Sequence, residues 1–175
     1  MNRPLLSVCA ITAFGLAALP GASVAQQKSM KDQLVGAWTL LLSDGVKADG
    51  THVPEFGPNP SGTLMFSPNG HYSLEIMRAN LPKFASNNRD KFTTDESKAV
   101  TQGTIAHFGT YSVNEADRSF NLRIEASSFP NWSGTQQKRS ITALSDDVLT
   151  YNVPNPAGVT APDITHIELV WRRAK

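Results

Sequence analysis

The sequence predicts an all-β protein, an eight-stranded antiparallel up-and-down barrel with one short helix in a connection. Three observations support this prediction. Short segments alternate apolar and polar residues with a period of two, and turn-forming Gly, Pro, Asn and Asp residues separate them at regular intervals. Only one segment has the composition of a helix start, which excludes a parallel α/β topology. A chain of 175 residues is long enough for one domain with a substantial core.

The predicted strands each bury one face. In the fifth of them, Phe120, Leu122 and Ile124 face one way, while Asn121 and Arg123 face the other. Closing eight such strands into a barrel removes both sheet edges and leaves an interior just wide enough for side chains or one small ligand. The strands are expected at residues 34–43, 62–67, 71–78, 105–113, 119–127, 137–144, 148–153 and 164–173.

Turn-forming residues separate the predicted strands. Asp44-Gly45 and Asp49-Gly50 are expected to be turns, and Pro68-Asn69-Gly70 is typical of a short hairpin connection. The segment 53–61 contains three prolines, which cannot donate ladder hydrogen bonds, so it is expected to be a loop over an open end of the structure.

A single helix is predicted in the long connection after the third strand. The helix is expected over residues 94–102, and either Thr93 or Thr94 can serve as its N-cap. Asp95 and Glu96 fall in the first turn, where negative charge complements the helix dipole. Gly103 is a suitable end.

The first 25 residues are predicted to be a secretory signal peptide. Arg3 precedes an apolar run from Leu5 to Leu19, and Ser23 and Ala25 satisfy the preference for small residues before a cleavage site at Gln26. An apolar run of about 15 residues is shorter than the roughly 20 that span a bilayer, so a membrane anchor is the less favoured alternative. The protein is therefore expected in the periplasm or outside the cell.

The expected mature domain, residues 26–175, excludes several functional classes. The only cysteine, Cys9, lies in the predicted signal peptide. The residues before it are a poor context for lipidation, so a lipoprotein is the less favoured alternative. Cleavage would remove Cys9, which excludes disulfides and thiolate chemistry in the mature domain. The formal net charge is +1, without a basic stripe, so no nucleic acid partner is expected. No metal site or cofactor is predicted, because zinc-ligand spacing is lacking among the histidines, which are His52, His71, His107 and His166.

Several short motifs share one family pattern. Gly36-Ala37-Trp38 opens the first strand, and Arg172-Arg173 ends the last. The further segments are Gly57–Leu64, Ser67–His71, Phe108–Tyr111 and Phe129–Thr135 with Arg139. Together they resemble the lipocalin-like domain family of bacteria and fungi over nearly the whole mature chain. Many of its members carry a histidine on the strand before the Pro-Asn-Trp loop, where this chain has Leu122 and Arg123.

The resemblance implies a barrel floor built from three residues. Gly36 and Trp38 would close the narrow end, and an Arg from the last strand would stack on the indole while it hydrogen-bonds to carbonyl groups. Arg173 shares a strand face with Leu169 and Trp171, so it is preferred to Arg172 as the stacking partner, although a one-residue bulge would reverse this choice.

The resemblance also implies a ligand cavity, and the preferred function is binding of a small hydrophobic or amphipathic molecule. Trp132 belongs to a loop that is either an aromatic lip of the cavity or a plug packed on the barrel end. The charged side chains on the strands are expected on the outer face, among them Glu75, Arg78, Arg123 and Glu125. Arg139 is the one charged side chain that is preferred as inward-facing. The expected ligand-binding residues are Trp38, Phe66, His71, Tyr72, Phe108, Tyr111, Trp132 and Arg139.

Two other functions remain open at this level. An inward Tyr or His with a polar partner would allow a cofactor-free isomerase, cyclase or hydratase to work in the same cavity. A barrel filled by its own side chains would instead be a structural protein without a ligand. Nucleophile elbows, phosphate loops and dinucleotide-binding glycine patterns do not occur in the sequence.

Overall fold

The computed structural model describes residues 28–156 and 163–175. The predicted signal peptide and its cleavage site lie outside these residues, as does part of the Pro/Gly connection expected at 154–162. Across the described ranges, no helix combines the length and the apolar character that crossing a membrane requires.

Nine strands form one antiparallel sheet, and eight of them close into a barrel. The strand order is β2-β1-β3-β4-β5-β6-β7-β8-β9, and pairing of β1 with β9 completes the circle. This confirms the predicted closed eight-stranded barrel, to which β2 is an addition. The strands are β1 Gly36–Lys47, β2 His52–Pro54, β3 Ser61–Phe66, β4 His71–Met77, β5 Thr104–Asn114, β6 Ser119–Ser127, β7 Gln136–Leu144, β8 Val148–Pro154 and β9 Ile164–Arg173.

The first strand is longer than the sequence predicts and starts later. The expected turn at Asp44-Gly45 is wrong, because both residues pair with β9 in a ladder that extends to Lys47 opposite Ile164. The first half of β1 also pairs with β3, and its end pairs with β2. Part of the Pro-rich segment is therefore an edge strand, which is one of the few places where a sheet tolerates proline.

The predicted helix is present as α2, Thr94–Gly103. Thr93 and Glu96 form a reciprocal capping box at its start. A five-residue helix, α1 Met30–Leu34, was not predicted, because one turn is too short to show a periodic pattern. Its Leu34 is fully buried beneath the barrel, so tertiary packing stabilises this helix.

Large side chains fill the end of the barrel that α1 covers, which we call the closed end. Trp38 is completely buried there, and its indole Nε1 donates a hydrogen bond to the carbonyl oxygen of Leu34 at 2.8 Å. Phe66 contacts both Tyr111 and Phe120 edge to face, with ring centres 4.8 and 5.4 Å apart. This end is therefore packed with aromatic rings, in the geometry that such rings prefer.

Arg173 seals the closed end from outside. Its guanidinium carbon lies 4.1 Å from the ring centre of Trp38, and its Nη1 and Nη2 donate to the carbonyl oxygens of Val35 and Gln33 at 3.0 and 2.6 Å. Gly36 lies directly beneath, with a φ of +126°, and a Cβ at this position would be 2.9 Å from Nη1 of Arg173. A residue with a side chain would therefore meet both backbone strain and a steric clash.

Candidate functional site

Polar side chains meet inside the barrel beyond the aromatic packing of the closed end. Four strands contribute them, and all of them face inward by strand alternation. We call this group the polar cluster; its members are Tyr72 on β4, His107 on β5, Gln137 and Arg139 on β7, and Tyr151 on β8. Polar groups are rare inside small barrels because burying them costs free energy unless they are hydrogen-bonded. Their convergence therefore marks the candidate site.

Tyr72 and His107 form a buried pair. Tyr72 Oη and His107 Nδ1 are 2.9 Å apart, and the two rings meet edge to face. Burial lowers the pKa of His107 to about 3, with a further contribution from the positive charge of Arg139. Burial also raises the pKa of the Tyr72 hydroxyl. Both groups are consequently uncharged near neutral pH, and they serve as a neutral hydrogen-bonding pair.

Arg139 is buried in the barrel, with only 4% of its surface exposed. Its Nη2 donates to the side-chain oxygen of Gln137 at 2.7 Å, and its Nη1 donates to the carbonyl oxygen of Lys138 at 3.0 Å. Burial lowers the pKa of Arg139, and the neighbouring Tyr151 and Tyr72 act in the opposite direction. Both hydrogen-bond acceptors are neutral, so the guanidinium keeps an uncompensated positive charge in the interior.

Tyr151 lies beside Arg139, and both Tyr151 and the neighbouring Trp171 are fully buried. Their rings stack at an interplanar angle of 17°, with centres 6.5 Å apart. Burial raises the pKa of Tyr151 to about 12, although the charge of Arg139 opposes this effect. The buried Nε1 of Trp171 faces the Tyr151 hydroxyl, which lowers the pKa of Tyr151, but it makes no full hydrogen bond among the described residues. This side of the cluster therefore presents hydrogen-bond donors in excess of acceptors.

The Pro-Asn-Trp loop covers the polar cluster at the end opposite α1. It forms a single 3-10 turn over Pro130–Trp132. The Trp132 ring lies edge to face against His107 and Phe129, with ring centres 5.8 and 5.6 Å apart. Its Nε1 is buried and, within the described ranges, unpartnered. The half-buried indole thus packs directly on His107.

The structure corrects the expected orientation of two residues. Phe108 is 53% exposed on the outer surface, because Tyr111 faces inward and a residue three positions earlier must face the other way. His71 is likewise exposed, since it precedes the inward-facing Tyr72. Neither side chain lines the barrel interior, so the expectation that both do is wrong.

Three other expected residues lie at the closed end, away from the polar cluster. Trp38, Phe66 and Tyr111 are buried in the hydrophobic core. The hydroxyl of Tyr111 donates to the carbonyl oxygen of Ser67 at 2.9 Å, which fixes it at the hairpin between β3 and β4. These side chains form the floor beneath the site.

The charged strand residues divide between the two faces. Glu75, Arg123 and Glu125 are exposed, Arg78 is half-buried at the end of β4, and Arg139 faces inward. The described part of the chain holds no group of three His, Cys, Asp or Glu side chains placed to bind a metal ion.

Four buried or half-buried residues of this region are absent from the expected ligand-binding set: His107, Gln137, Tyr151 and Trp171. Strand periodicity carries the missing signal for His107, because residues four apart share a face and Tyr111 was already expected inside. Gln137 precedes Arg139 by two residues and so shares its face. Which of these inward side chains lie at the same height depends on strand stagger, which the sequence does not reveal.

One protein family matches most of the chain by sequence. Residues 35–174 match the lipocalin-like domain family. No curated protein matches the chain.

Several solved structures are similar to the chain, and three of them are described by their similarity. A lipocalin-like protein from Bacteroides uniformis shares 15% identity with a TM-score of 0.43, and the match covers 81% of this chain and 99% of that one. A redesigned β-barrel shares 12% identity with a TM-score of 0.41, covering 85% and 100%. The protein EF1p2_mFAP2b, solved bound to DFHBI, shares 13% identity with a TM-score of 0.36, covering 82% and 94%. The sequence match over most of its length shows that this chain belongs to the lipocalin-like domain family.

Proposed function

We propose that this protein binds a small, mostly apolar molecule inside the barrel, between the polar cluster and the Trp132 loop. The observation that carries this proposal is the convergence of inward polar groups that the protein itself satisfies only in part. Arg139 has neutral acceptors alone, and the buried Nε1 atoms of Trp132 and Trp171 have no partner among residues 28–156 and 163–175. A ligand with one hydrogen-bonding group would complete these contacts.

Apolar side chains at the same end of the barrel support an apolar ligand body. Ile76 is buried and pairs across the strands with the half-buried Ile105. Phe56, Val153 and Ile167 also pack against the core while they remain partly exposed. Covering about 200 Å² of ligand surface at about 25 cal/mol per Å² contributes roughly 5 kcal/mol before the costs of association. Affinity in the micromolar range or weaker follows unless polar anchors add to it.

A pair of matched variants tests whether binding takes place inside the barrel. Ile105→Trp adds an indole to the inward face, and Met77→Trp adds one to the exposed outer face of the neighbouring strand. The probe is phenylnaphthylamine, a neutral molecule whose fluorescence rises in apolar surroundings. We expect the wild type and Met77→Trp to bind it and Ile105→Trp to lose binding.

Two results would overturn the proposal. Equal binding by both variants would place the probe outside the barrel. Absence of binding by the wild type, together with native mass spectra that show only the bare chain after purification, would favour a barrel that is merely a structural scaffold.

The second candidate function is a cofactor-free isomerase, cyclase or hydratase, and the Tyr72–His107 contact favours it. The Tyr72 hydroxyl would hydrogen-bond to a carbonyl oxygen of the substrate, while His107 would orient that hydroxyl. The shifted pKa values make this the weaker candidate, because neither group titrates near neutral pH, where acid–base catalysts work best.

Proton exchange distinguishes the two candidates. Cyclohexanone in D2O, followed by NMR, exchanges the hydrogens beside its carbonyl group. An enzyme of this class would accelerate the exchange and would lose the acceleration with Tyr72→Phe. A binding protein would leave the exchange rate unchanged in both forms.

We further propose that the protein is exported and that its mature form begins at Gln26. The support is the signal-peptide pattern of residues 1–25, together with a family match that begins only at residue 35. Expression of the full chain in a Gram-negative host, followed by intact mass measurement of the periplasmic fraction, tests this. A chain that keeps residues 1–25 or stays in the cytoplasm would contradict it.

A further inference from the structure

We propose that the ligand is an organic anion: an apolar body that carries a carboxylate, sulfonate or phenolate group, whose charged oxygen binds at Arg139. This inference rests on the proposed function and specifies the chemistry of the molecule that the barrel takes.

The first argument is the lack of any acidic partner for Arg139. None of the ion pairs between described residues involves Arg139, and its hydrogen bonds go to an amide side chain and a backbone carbonyl. The remaining residues, 1–27 and 157–162, contain neither Asp nor Glu. No carboxylate side chain of this chain can therefore neutralise the guanidinium.

Burial makes this arrangement costly for a protein that binds nothing. Moving a guanidinium out of water carries a large cost in free energy, and neutral acceptors recover only part of that cost. An exposed Arg on the outer face, such as Arg123 on the neighbouring strand β6, avoids the cost altogether. A bound anion from outside the chain would neutralise the guanidinium and thereby explain the buried position of Arg139.

The second argument is the character of the groups around the guanidinium. Trp171 Nε1 can only donate a hydrogen bond, and the Tyr151 hydroxyl that it faces is neutral and can donate as well. Arg139 itself carries only donors. An oxygen with a negative charge accepts from all three kinds of group, and charge-assisted hydrogen bonds of this type are about twice as strong as neutral ones.

The surroundings also exclude a small inorganic anion as the preferred occupant. Apolar side chains make up other parts of the interior, with Leu74 and Ile76 buried on β4 and Ile124 buried on β6. Phosphate or sulfate would lose hydration on every side facing these residues, whereas an amphipathic organic anion would bury its apolar part against them.

Two fluorescent probes of nearly the same shape test the proposal. Anilinonaphthalene sulfonate is an anion, and phenylnaphthylamine is the same ring system without the sulfonate. We expect the wild-type protein to bind the anion about tenfold more tightly or better, because a charge-assisted contact in a buried site has this magnitude. Arg139→Met should remove the preference, so that the ratio of the two affinities falls to within about threefold of one.

Two further variants control for folding and for general charge. Arg139→Lys keeps the positive charge but lacks the planar set of donors, so it should retain a reduced preference for the anion. Arg123→Met removes a positive charge from the outer face and should leave both affinities unchanged. Near-UV circular dichroism of each variant establishes that the barrel is folded, so the ratio of the two affinities remains interpretable.

The outcomes separate this inference from the proposed function. If the wild type binds both probes equally, or if Arg139→Met keeps the preference for the anion, the ligand is not selected through Arg139 and the inference fails while small-molecule binding stands. If neither probe binds to the wild type, both proposals fail together.

Discussion

Arg173 and Trp38 stack at the closed end of the barrel, with 4.1 Å between the guanidinium carbon and the centre of the indole ring. The two residues come from the last and the first strand of the barrel, and they pair across the seam that closes it. The contact therefore holds together the two strands that an open sheet would leave as edges, and the same guanidinium fixes the end of α1 through the carbonyl oxygen of Gln33.

Arg173→Ala should lower the free energy of unfolding by about 2–3 kcal/mol, because it removes a cation–π contact and hydrogen bonds to three carbonyl oxygens, those of Gln33, Val35 and Asp146. Urea denaturation followed by far-UV circular dichroism measures the change. Arg172→Ala is the matched control, since its exposed side chain should contribute less than about 0.5 kcal/mol. Equal effects of the two variants would show that the stacking does not stabilise the barrel.

Gly36→Ala should destabilise the protein more than Gly50→Ala does. Both glycines have positive φ, but a Cβ at Gly36 would lie 2.9 Å from Nη1 of Arg173, whereas nothing lies within 4 Å at Gly50. The difference between the two variants in the free energy of unfolding should be about 1 kcal/mol or more. In an Arg173→Ala background this difference should shrink, since the clashing group is then absent. An unchanged difference would show that backbone strain alone, and not the clash with Arg173, destabilises Gly36→Ala.

Arg139→Met should leave the stability unchanged or raise it, by up to about 1–4 kcal/mol, even though it removes a buried side chain. Replacing a buried charge by an apolar side chain of similar volume commonly has this effect, and the released Gln137 is half-exposed and can bind water. Thermal unfolding and urea titration measure it. A loss of more than about 1 kcal/mol would mean that the neutral acceptors suffice and that Arg139 is a structural residue.

Stability should fall as the pH drops from about 6.5 to about 3, in part because of His107. The unfolded chain binds a proton at the ordinary histidine pKa, and burial lowers the pKa of folded His107 to about 3. Within this window the unfolded state holds more protons, so each pH unit costs about 1.4 kcal/mol of unfolding free energy. Urea titrations at pH 7, 6, 5 and 4 measure the slope.

Comparison of two histidine variants isolates this contribution. His107→Gln should flatten the slope between about pH 6 and pH 4, while it keeps a polar partner for Tyr72. His71→Gln should retain the wild-type slope, because that side chain is exposed on the outer face. If both variants keep the full slope, carboxylates rather than His107 govern the acid sensitivity.

Particular residues show where prediction from the sequence succeeded and where it stopped. Strand β6 was predicted at 119–127 and occupies those residues, because its central residues, from Phe120 to Glu125, alternate between buried and more exposed positions. The expectation that Phe108 faces inward is wrong, because Phe108 lies three positions before the inward-facing Tyr111 on β5. A period of two admits only one of these residues on the inner face.

Irregular pairing between strands limits the prediction of which side chains are neighbours. Bulges interrupt the register between Leu40 and Leu42 against β9 and between Phe108 and Gly109 against β6. A Cβ at Gly109 would lie 2.0 Å from the carbonyl oxygen of Arg123, so the second irregularity requires glycine there. Each bulge shifts which residues of neighbouring strands lie side by side.

Residues close together in the chain are sufficient to predict the strand class, the capped helix and the Gly-x-Trp start of the barrel. The meeting of Tyr72, His107, Arg139 and Tyr151 inside one barrel is visible only in the three-dimensional arrangement. Their meeting depends on the stagger and closure of strands far apart in sequence, and local alternation places a side chain on a face without fixing its height along the barrel axis.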